Sequence, residues 1–185
     1  MIVIEHLDPK LWAWSLLEYQ HISSVVGKDN LWFTNVKTSL AKFKALGTVY
    51  SESVTKLDVP RPCILDANAP ETLTTADTAK FTHFIFGGVL GDDPPQGRTQ
   101  KLAREMPTAH LRNLGPKQMT TDTAVIVAWR ILHGEKLSNI PFIDEPELPK
   151  TEEESIILPF RYIAEKGKPV FPAGFEKWLI AQKGF

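Results

Sequence analysis

Short apolar runs alternate with stretches of helical spacing along most of the chain. Ile2-Val3-Ile4 reads as a buried strand ended by Glu5-His6. Asp8-Pro9 has the form of a helix N-cap followed by proline at the first helical position, where a missing N–H costs nothing. Trp12, Leu16, Tyr19, Ile22 and Val26 continue at helical spacing as far as Gly27. A strand follows at Leu31-Trp32-Phe33. A helix is marked by Leu40, Phe43 and Leu46 and closed by Gly47. Val49 to Val54 alternates as a strand does, and Cys63-Ile64-Leu65 makes another.

A short helix is expected from Thr75 to Lys80. Phe84-Ile85-Phe86 then forms a buried strand that runs directly into Gly87-Gly88. Residues 98–105 read as a helix and Ala109 to Leu111 as a brief strand. Thr120 or Thr121 opens a helix to Leu132 that is apolar nearly all round, and such a helix is buried on most sides. Residues 140–175 hold Pro141, Pro146, Pro149, Pro159, Pro169 and Pro172. They are expected to form an extended C-terminal arm anchored by Phe160, Tyr162, Val170 and Phe171, with a last short helix from Phe175 to Ile180. Strands alternating with helices predict an α/β fold, a parallel sheet covered by helices on both faces. The expected organisation is one domain over 1–139 and an arm over 140–185 packed on it.

Composition narrows the class without naming a function. A chain of 185 residues, 43% hydrophobic and with five tryptophans, can build a full core. No apolar run approaches the roughly 18 residues a membrane span needs. The N-terminal segment lacks the form of a secretory signal, and Cys63 is the one cysteine, so a cytoplasmic chain without disulfides is expected. Lys plus Arg number 21 against 22 Asp plus Glu, a net charge of −1. Proteins that live on nucleic acid usually carry a basic excess, and this balance supplies none.

Two glycine-containing segments follow two of the predicted strands. The first, Phe86-Gly87-Gly88-Val89-Leu90-Gly91-Asp92-Asp93, lets the backbone turn sharply and approach a ligand, but it is neither GxGxxG nor a phosphate loop. A ligand-free strand-to-helix turn explains it equally well. The second, Leu111-Arg112-Asn113-Leu114-Gly115-Pro116-Lys117-Gln118-Met119, leads into a hydroxyl-rich helix start whose free N–H groups attract a ligand. In open parallel sheets ligands sit beyond the carboxyl ends of the strands, where both segments lie. The five histidines show no metal-binding spacing, so no metal is expected. Cys63 reads as a buried, inert thiol.

GGVLGDDPPQGRT followed by LRNLGPKQMTTDTA resembles the SPOUT-class methyltransferase family that includes a eukaryotic protein-arginine methyltransferase acting on a small-subunit ribosomal protein. Glu5-His6 and Leu17-Glu18-Tyr19 also resemble that family. Gln96-Gly97 stands where relatives carry an acid before the Arg-Thr pair, which puts any role built on that acid in doubt. The resemblance implies a C-terminal trefoil knot, S-adenosyl-L-methionine as cofactor, and methyl transfer in the cytoplasm to an arginine of a ribosomal or translation-related protein. It implies a cofactor site made from Leu65, Phe86, Gly87, Gly88, Leu90, Gly91, Leu111, Arg112, Asn113, Leu114, Gly115, Gln118, Met119 and Thr123. Leu65-Asp66-Ala67 would be a third wall, and Leu65, Leu114 or Met119 would touch the adenine.

An arginine acceptor calls for carboxylates, and Asp92, Glu5 and Glu18 are the expected catalytic set, with Asp93 and Asp122 nearby. Asp122 reads more simply as a helix cap. Two other functions remain open. RNA methylation would use a basic face of Lys101, Arg104, Arg112, Lys117 and Arg130. A non-catalytic binding module in ribosome assembly would need no cofactor. The long arm, covering a face otherwise free for dimerisation, points to a monomer or a weak dimer.

Overall fold

The computed structural model describes residues 1–88, 98–151 and 154–182. Strand β1 spans Ile2–His6, β2 Leu31–Thr34, β3 Thr48–Val49, β4 Pro62–Leu65, β5 His83–Gly88 and β6 His110–Arg112. They form one sheet in the order β3-β2-β1-β5-β4-β6, with parallel pairing throughout. This is the parallel α/β sheet that the alternation of elements predicts. Successive strand residues face opposite sides, so the sheet builds two cores. Ile2, Ile4, Phe84, Phe86, Cys63 and Leu65 join one, under helices α1 (Ala13–Val26) and α5 (Thr121–Leu132). Val3, Ile64 and Ile85 join the other, under Leu102 of α4 (Arg98–Glu105) and Met106 just beyond it. Helices α2 (Leu40–Lys44) and α3 (Asp77–Lys80) are single short turns beside the sheet.

Several local expectations are corrected. Helix α1 begins at Ala13 behind Trp12, which makes no side-chain cap, so Asp8-Pro9 is not its start. Leu7 still bonds the sheet through Gly88 O (3.2 Å), and the chain needs residues 8–12 to climb from the sheet edge to the helix layer. The 49–54 strand is confined to Thr48–Val49. Tyr50 O and Glu52 O accept from Val36 and Asn35, and the Val54 N–H is claimed by Glu5 (2.9 Å), which bends the run into a 3-10 turn. Thr120 occupies the N-cap of α5, but its hydroxyl turns to Asp122 (2.7 Å) and Thr123 (2.8 Å) instead of capping.

The C-terminal segment is less extended than its prolines suggest. It folds β7 (Phe142–Asp144), β10 (Arg161–Glu165) and β11 (Lys168–Pro169) into one antiparallel sheet, and β8 (Glu147–Pro149) with β9 (Ser155–Ile157) into a hairpin. Phe160, Tyr162 and helix α6 (Phe175–Ile180) bury Trp14 of α1, whose ring meets Phe175 at 4.9 Å. Arg161 N–H donates to Gln118 O (2.8 Å), so this segment also pins the stretch before α5.

Beyond β4, residues 66–80 fold over the end of β6. Asn113 N–H donates to Glu71 O (2.8 Å) and Leu73 N–H to Asn113 O (2.9 Å). The buried Arg112 guanidinium clamps the same stretch, holding Asp77 through two bonds of 3.2 Å and Glu71 at 3.1 Å. That pairing holds the Asp77 carboxyl below its usual range against the opposing effect of burial. Breaking one side of a buried ion pair strands the other charge. Arg112→Leu is expected to cost on the order of 3–5 kcal/mol in urea denaturation. Arg112→Lys should recover only part, since a point charge cannot replace the two-pronged contact.

Candidate functional site

The carboxyl ends of β4, β5 and β6 and the start of α5 surround a cavity of about 180 Å3. Leu65, Asp66 and Ala67 come from the end of β4, and Phe86 and Gly87 from the end of β5. Leu114, Gly115, Lys117, Gln118 and Met119 come from the segment after β6, Thr121 and Ala124 from α5, and Thr99 from α4. Leu65, Ala67, Phe86, Leu114, Met119 and Ala124 make an apolar slot. Asp66, Thr99, Lys117, Gln118 and Thr121 bring polar groups to it, a division that suits a flat heterocycle with a charged tail. Gly115 has φ +97°, and a side chain there would meet nothing within 4 Å, so the cavity depends on a turn that only glycine makes cheaply.

Of the residues expected to hold a cofactor, Leu65, Phe86, Gly87, Leu114, Gly115, Gln118 and Met119 line this cavity. Leu90, Gly91 and Asp92 lie outside the described residues. The remaining ones serve elsewhere. Gly88 packs inward, where an added Cβ would sit 2.5 Å from Tyr19 Oη and 2.6 Å from Ile4 Cγ2. Leu111 joins the α4-side core, and Arg112 makes the clamp on Asp77. Asn113 donates to Ala69 O (2.8 Å) and accepts from Gly115 N–H (2.9 Å), shaping the turn from behind. Thr123 is buried against the Thr120 hydroxyl. Lys117 and Thr121 belong to the second glycine segment and the helix start after it, whereas Thr99 and Ala124 were not expected. A local pattern had no means of finding them, because α4 and α5 reach the cavity only through packing.

The two expected acids that the structure describes part company. Glu5 is 2% exposed and lines a second cavity of about 190 Å3 with Leu7, Asn35, Ser53, Lys101, Leu102 and Glu105. Its Oε2 accepts from Thr34 Oγ1 (2.5 Å) and Val54 N–H (2.9 Å), and among the described residues no bond falls on Oε1. The two cavities are neighbours: a Cβ at Gly87 would lie 3.1 Å from Thr99 of the first and 3.4 Å from Leu7 of the second. Glu18 lines neither. It is buried between α1 and α5, accepts from Trp14 Nε1 (2.8 Å), and its pKa is pushed well above the usual carboxylate range, first by burial and then by Asp122. Asp122, expected as a cap, is buried too and meets His21 Nδ1 at 2.8 Å. Behind the end of β5, burial lowers the His6 pKa, and its Nδ1 lies 3.1 Å from Tyr19 Oη. Cys63 is buried and its thiol is pushed up to about 12, which leaves it unreactive. Among the described residues no metal-binding cluster forms.

The model of the SFM1-like protein arginine N-methyltransferases matches residues 1–183. The chain belongs to that family. Protein arginine N-methyltransferase SFM1 of Saccharomyces cerevisiae is 35% identical over 192 residues, covering 93% of this chain and 90% of the yeast protein. The crystal structure of yeast SFM1 complexed with SAH superposes with a TM-score of 0.89 at 34% identity, over 97% of this chain and 93% of that one. Dual specific Trm10 from Thermococcus kodakaraensis superposes with a TM-score of 0.58 at 13% identity, over 74% and 94% of the two chains, a likeness of fold alone. The resemblance carried by the two glycine segments therefore identified the SFM1-like family and its arginine methyltransferase class.

In this SFM1-like chain the two flanking glycines should fail differently. Gly88→Ala drives a methyl into Tyr19 and Ile4, and overpacking is expected to cost about 1–3 kcal/mol in urea denaturation. Gly115→Ala meets open space, so only its left-handed backbone is strained, a cost of about 1–2 kcal/mol by the same measurement.

Proposed function

We propose that the protein is an S-adenosylmethionine-dependent methyltransferase that modifies an arginine side chain of a ribosomal or translation-related protein. The supporting observation is the cavity at the ends of β4, β5 and β6 in a chain that belongs to the SFM1-like family. Yeast SFM1 has been crystallised with SAM, SAH and MTA. The residues present fit such a cofactor: an apolar slot for the adenine, the turn at Gly115, and Asp66, Thr99, Lys117 and Gln118 for its polar parts. When bound, the cofactor supplies an electrophilic methyl group for in-line transfer.

The chain itself must hold the acceptor and shed water. A guanidinium is protonated in solution, with a pKa above about 12, so a carboxylate serves by gripping the planar fork and steadying the charge as the proton departs. We assign that task to Glu5. Its Oε2 is held by Thr34 and Val54, its cavity adjoins the cofactor cavity across Leu7, Gly87 and Thr99, and Asn35, Ser53 and Glu105 add further acceptors. Asp92 remains part of the proposed acid set. Two of the basic residues that an RNA substrate would need are already spent: Arg112 pairs with Asp77 and Glu71, and Arg130 with Glu135 at 2.7 Å. This favours a protein acceptor over RNA.

The same reading includes a C-terminal trefoil knot, which rests on membership of the SFM1-like family. It also treats residues 1–139 as the catalytic domain and 140–185 as an arm. The arm's cover over Trp14 supports a monomeric enzyme. Among the described residues no helix is long and apolar enough to cross a membrane, and we place the protein in the cytoplasm.

Incubating the protein with radiolabelled S-adenosylmethionine and fractionated cell extract should label a protein band, with methylarginine recovered after hydrolysis. Label in RNA would overturn the acceptor. Glu5→Gln keeps an oxygen for Thr34 and Val54 but loses the charge, so turnover should fall by the equivalent of about 2–5 kcal/mol while calorimetric affinity for S-adenosylhomocysteine is unchanged.

A further inference from the structure

The wall of the cofactor cavity that α5 supplies is held from behind by a buried polar seam. Trp14, Glu18 and His21 fall at i, i+4 and i+7 of α1 and so share one helix face. That face meets the first turn of α5. Glu18 is hydrogen-bonded to the Thr121 side chain, and His21 Nδ1 lies 2.8 Å from Asp122 Oδ2. Asp122 Oδ1 accepts from Thr120 Oγ1 (2.7 Å), which closes the turn on itself. Thr121 and Ala124 are the α5 residues that line the cavity. A shift of this turn is therefore a shift of the cavity wall.

We propose that Glu18 and His21 are positioning residues for methyl transfer, which grip Thr121 and Asp122 and thereby set the wall against which the cofactor is bound. The proposal rests on the cofactor reading above, and it gives Glu18 a task other than touching the acceptor.

Every element packed on the seam adds to its electrostatics. Asp122 faces Glu18 from α5, Asp8 acts on it from the segment before α1, and Tyr162 stands opposite on β10, its hydroxyl buried and without a hydrogen-bond partner among the described residues. Two carboxyls and a phenol in one dry space cannot all ionise. Burial and the Asp122 charge keep the proton on Glu18 well above the ordinary carboxylate range, and burial with the same two acids raises Tyr162. An acid whose pKa is raised by folding favours the folded arrangement at low pH, and the advantage is lost as the pH climbs towards its folded value. Once Glu18 ionises, a second negative charge faces Asp122 and the first turn of α5 is pushed from its place.

The test is calorimetric affinity for S-adenosylhomocysteine, measured across the pH range in which the protein stays folded, alongside thermal unfolding and turnover. In the wild type, affinity should weaken as the pH rises. Glu18→Gln, which keeps the shape and never ionises, should hold its affinity level, with turnover following affinity in its pH dependence. His21→Ala frees Asp122 from its imidazole and should weaken binding at every pH.

Two results would overturn the proposal. If Glu18→Gln bound like the wild type at all pH values yet lost turnover, Glu18 would be an acceptor contact. If only thermal stability changed, the seam would be structural. A wild-type protein that failed to bind S-adenosylhomocysteine at any pH would instead remove the cofactor reading itself.

Discussion

The guanidinium of Arg112 lies buried against Asp77, and the walls of the cavity at the ends of β4, β5 and β6 are tied to that pair. On one side its backbone continues the sheet, with Arg112 O accepting from Asp66 N–H (2.9 Å) and so fixing the Leu65–Ala67 wall. On the other, its side chain draws the 66–80 stretch over Asn113, whose own bonds shape the turn at Gly115. A buried ion pair is a costly way to join two segments, since both charges lose water. Its return here is geometric. The fork fixes direction as well as distance, and the cavity needs segments separated by dozens of residues to meet in one register.

Around that clamp the molecule divides its acids by environment. Arg112 holds the Asp77 carboxyl below its usual range against the effect of burial, whereas burial and Asp122 push that of Glu18 well above it. Glu5 lines a cavity and is steadied by two donors on one oxygen. Three buried carboxyls thus sit in three different settings: one closes a loop, one is sealed between two helices, and one lines a cavity. The C-terminal segment takes part through Arg161, which bonds Gln118 O, and through Tyr162, which closes the space behind Glu18. The arm is a structural member of the site as well as a cover for α1.

How much of this could be read in advance follows from the range of the forces involved. Strands at 2–4, 31–33, 63–65 and 84–86 and the long helix ending at Leu132 were legible because apolar periodicity is a local property. The two glycine segments were legible for a similar reason: Gly115, at φ +97°, meets a backbone need that few other residues satisfy, and the surrounding motifs resemble a known family. The start of α1 was misread because Asp8-Pro9 carries a cap signature, while the climb from sheet to helix layer set the actual start at Ala13. The 49–54 strand was cut short by Glu5, a residue 49 positions away from Val54.

By itself, the sequence determined the order of elements, the parallel sheet and the two segments that turn at its carboxyl edge. Hydrophobic spacing and glycine's backbone freedom act within a few residues. Tertiary structure alone decided which side of the site each acid serves. Glu5 and Glu18 carry the same carboxyl, yet one opens to a cavity beside Gly87 and the other is sealed against α5. It also turned Gly88 into the core and Arg112 into a clamp, and brought Tyr162 to Glu18. The physical reason is that a charged or flexible side chain takes its role from the partners and the dielectric that packing supplies, and neither is written in its neighbours along the chain.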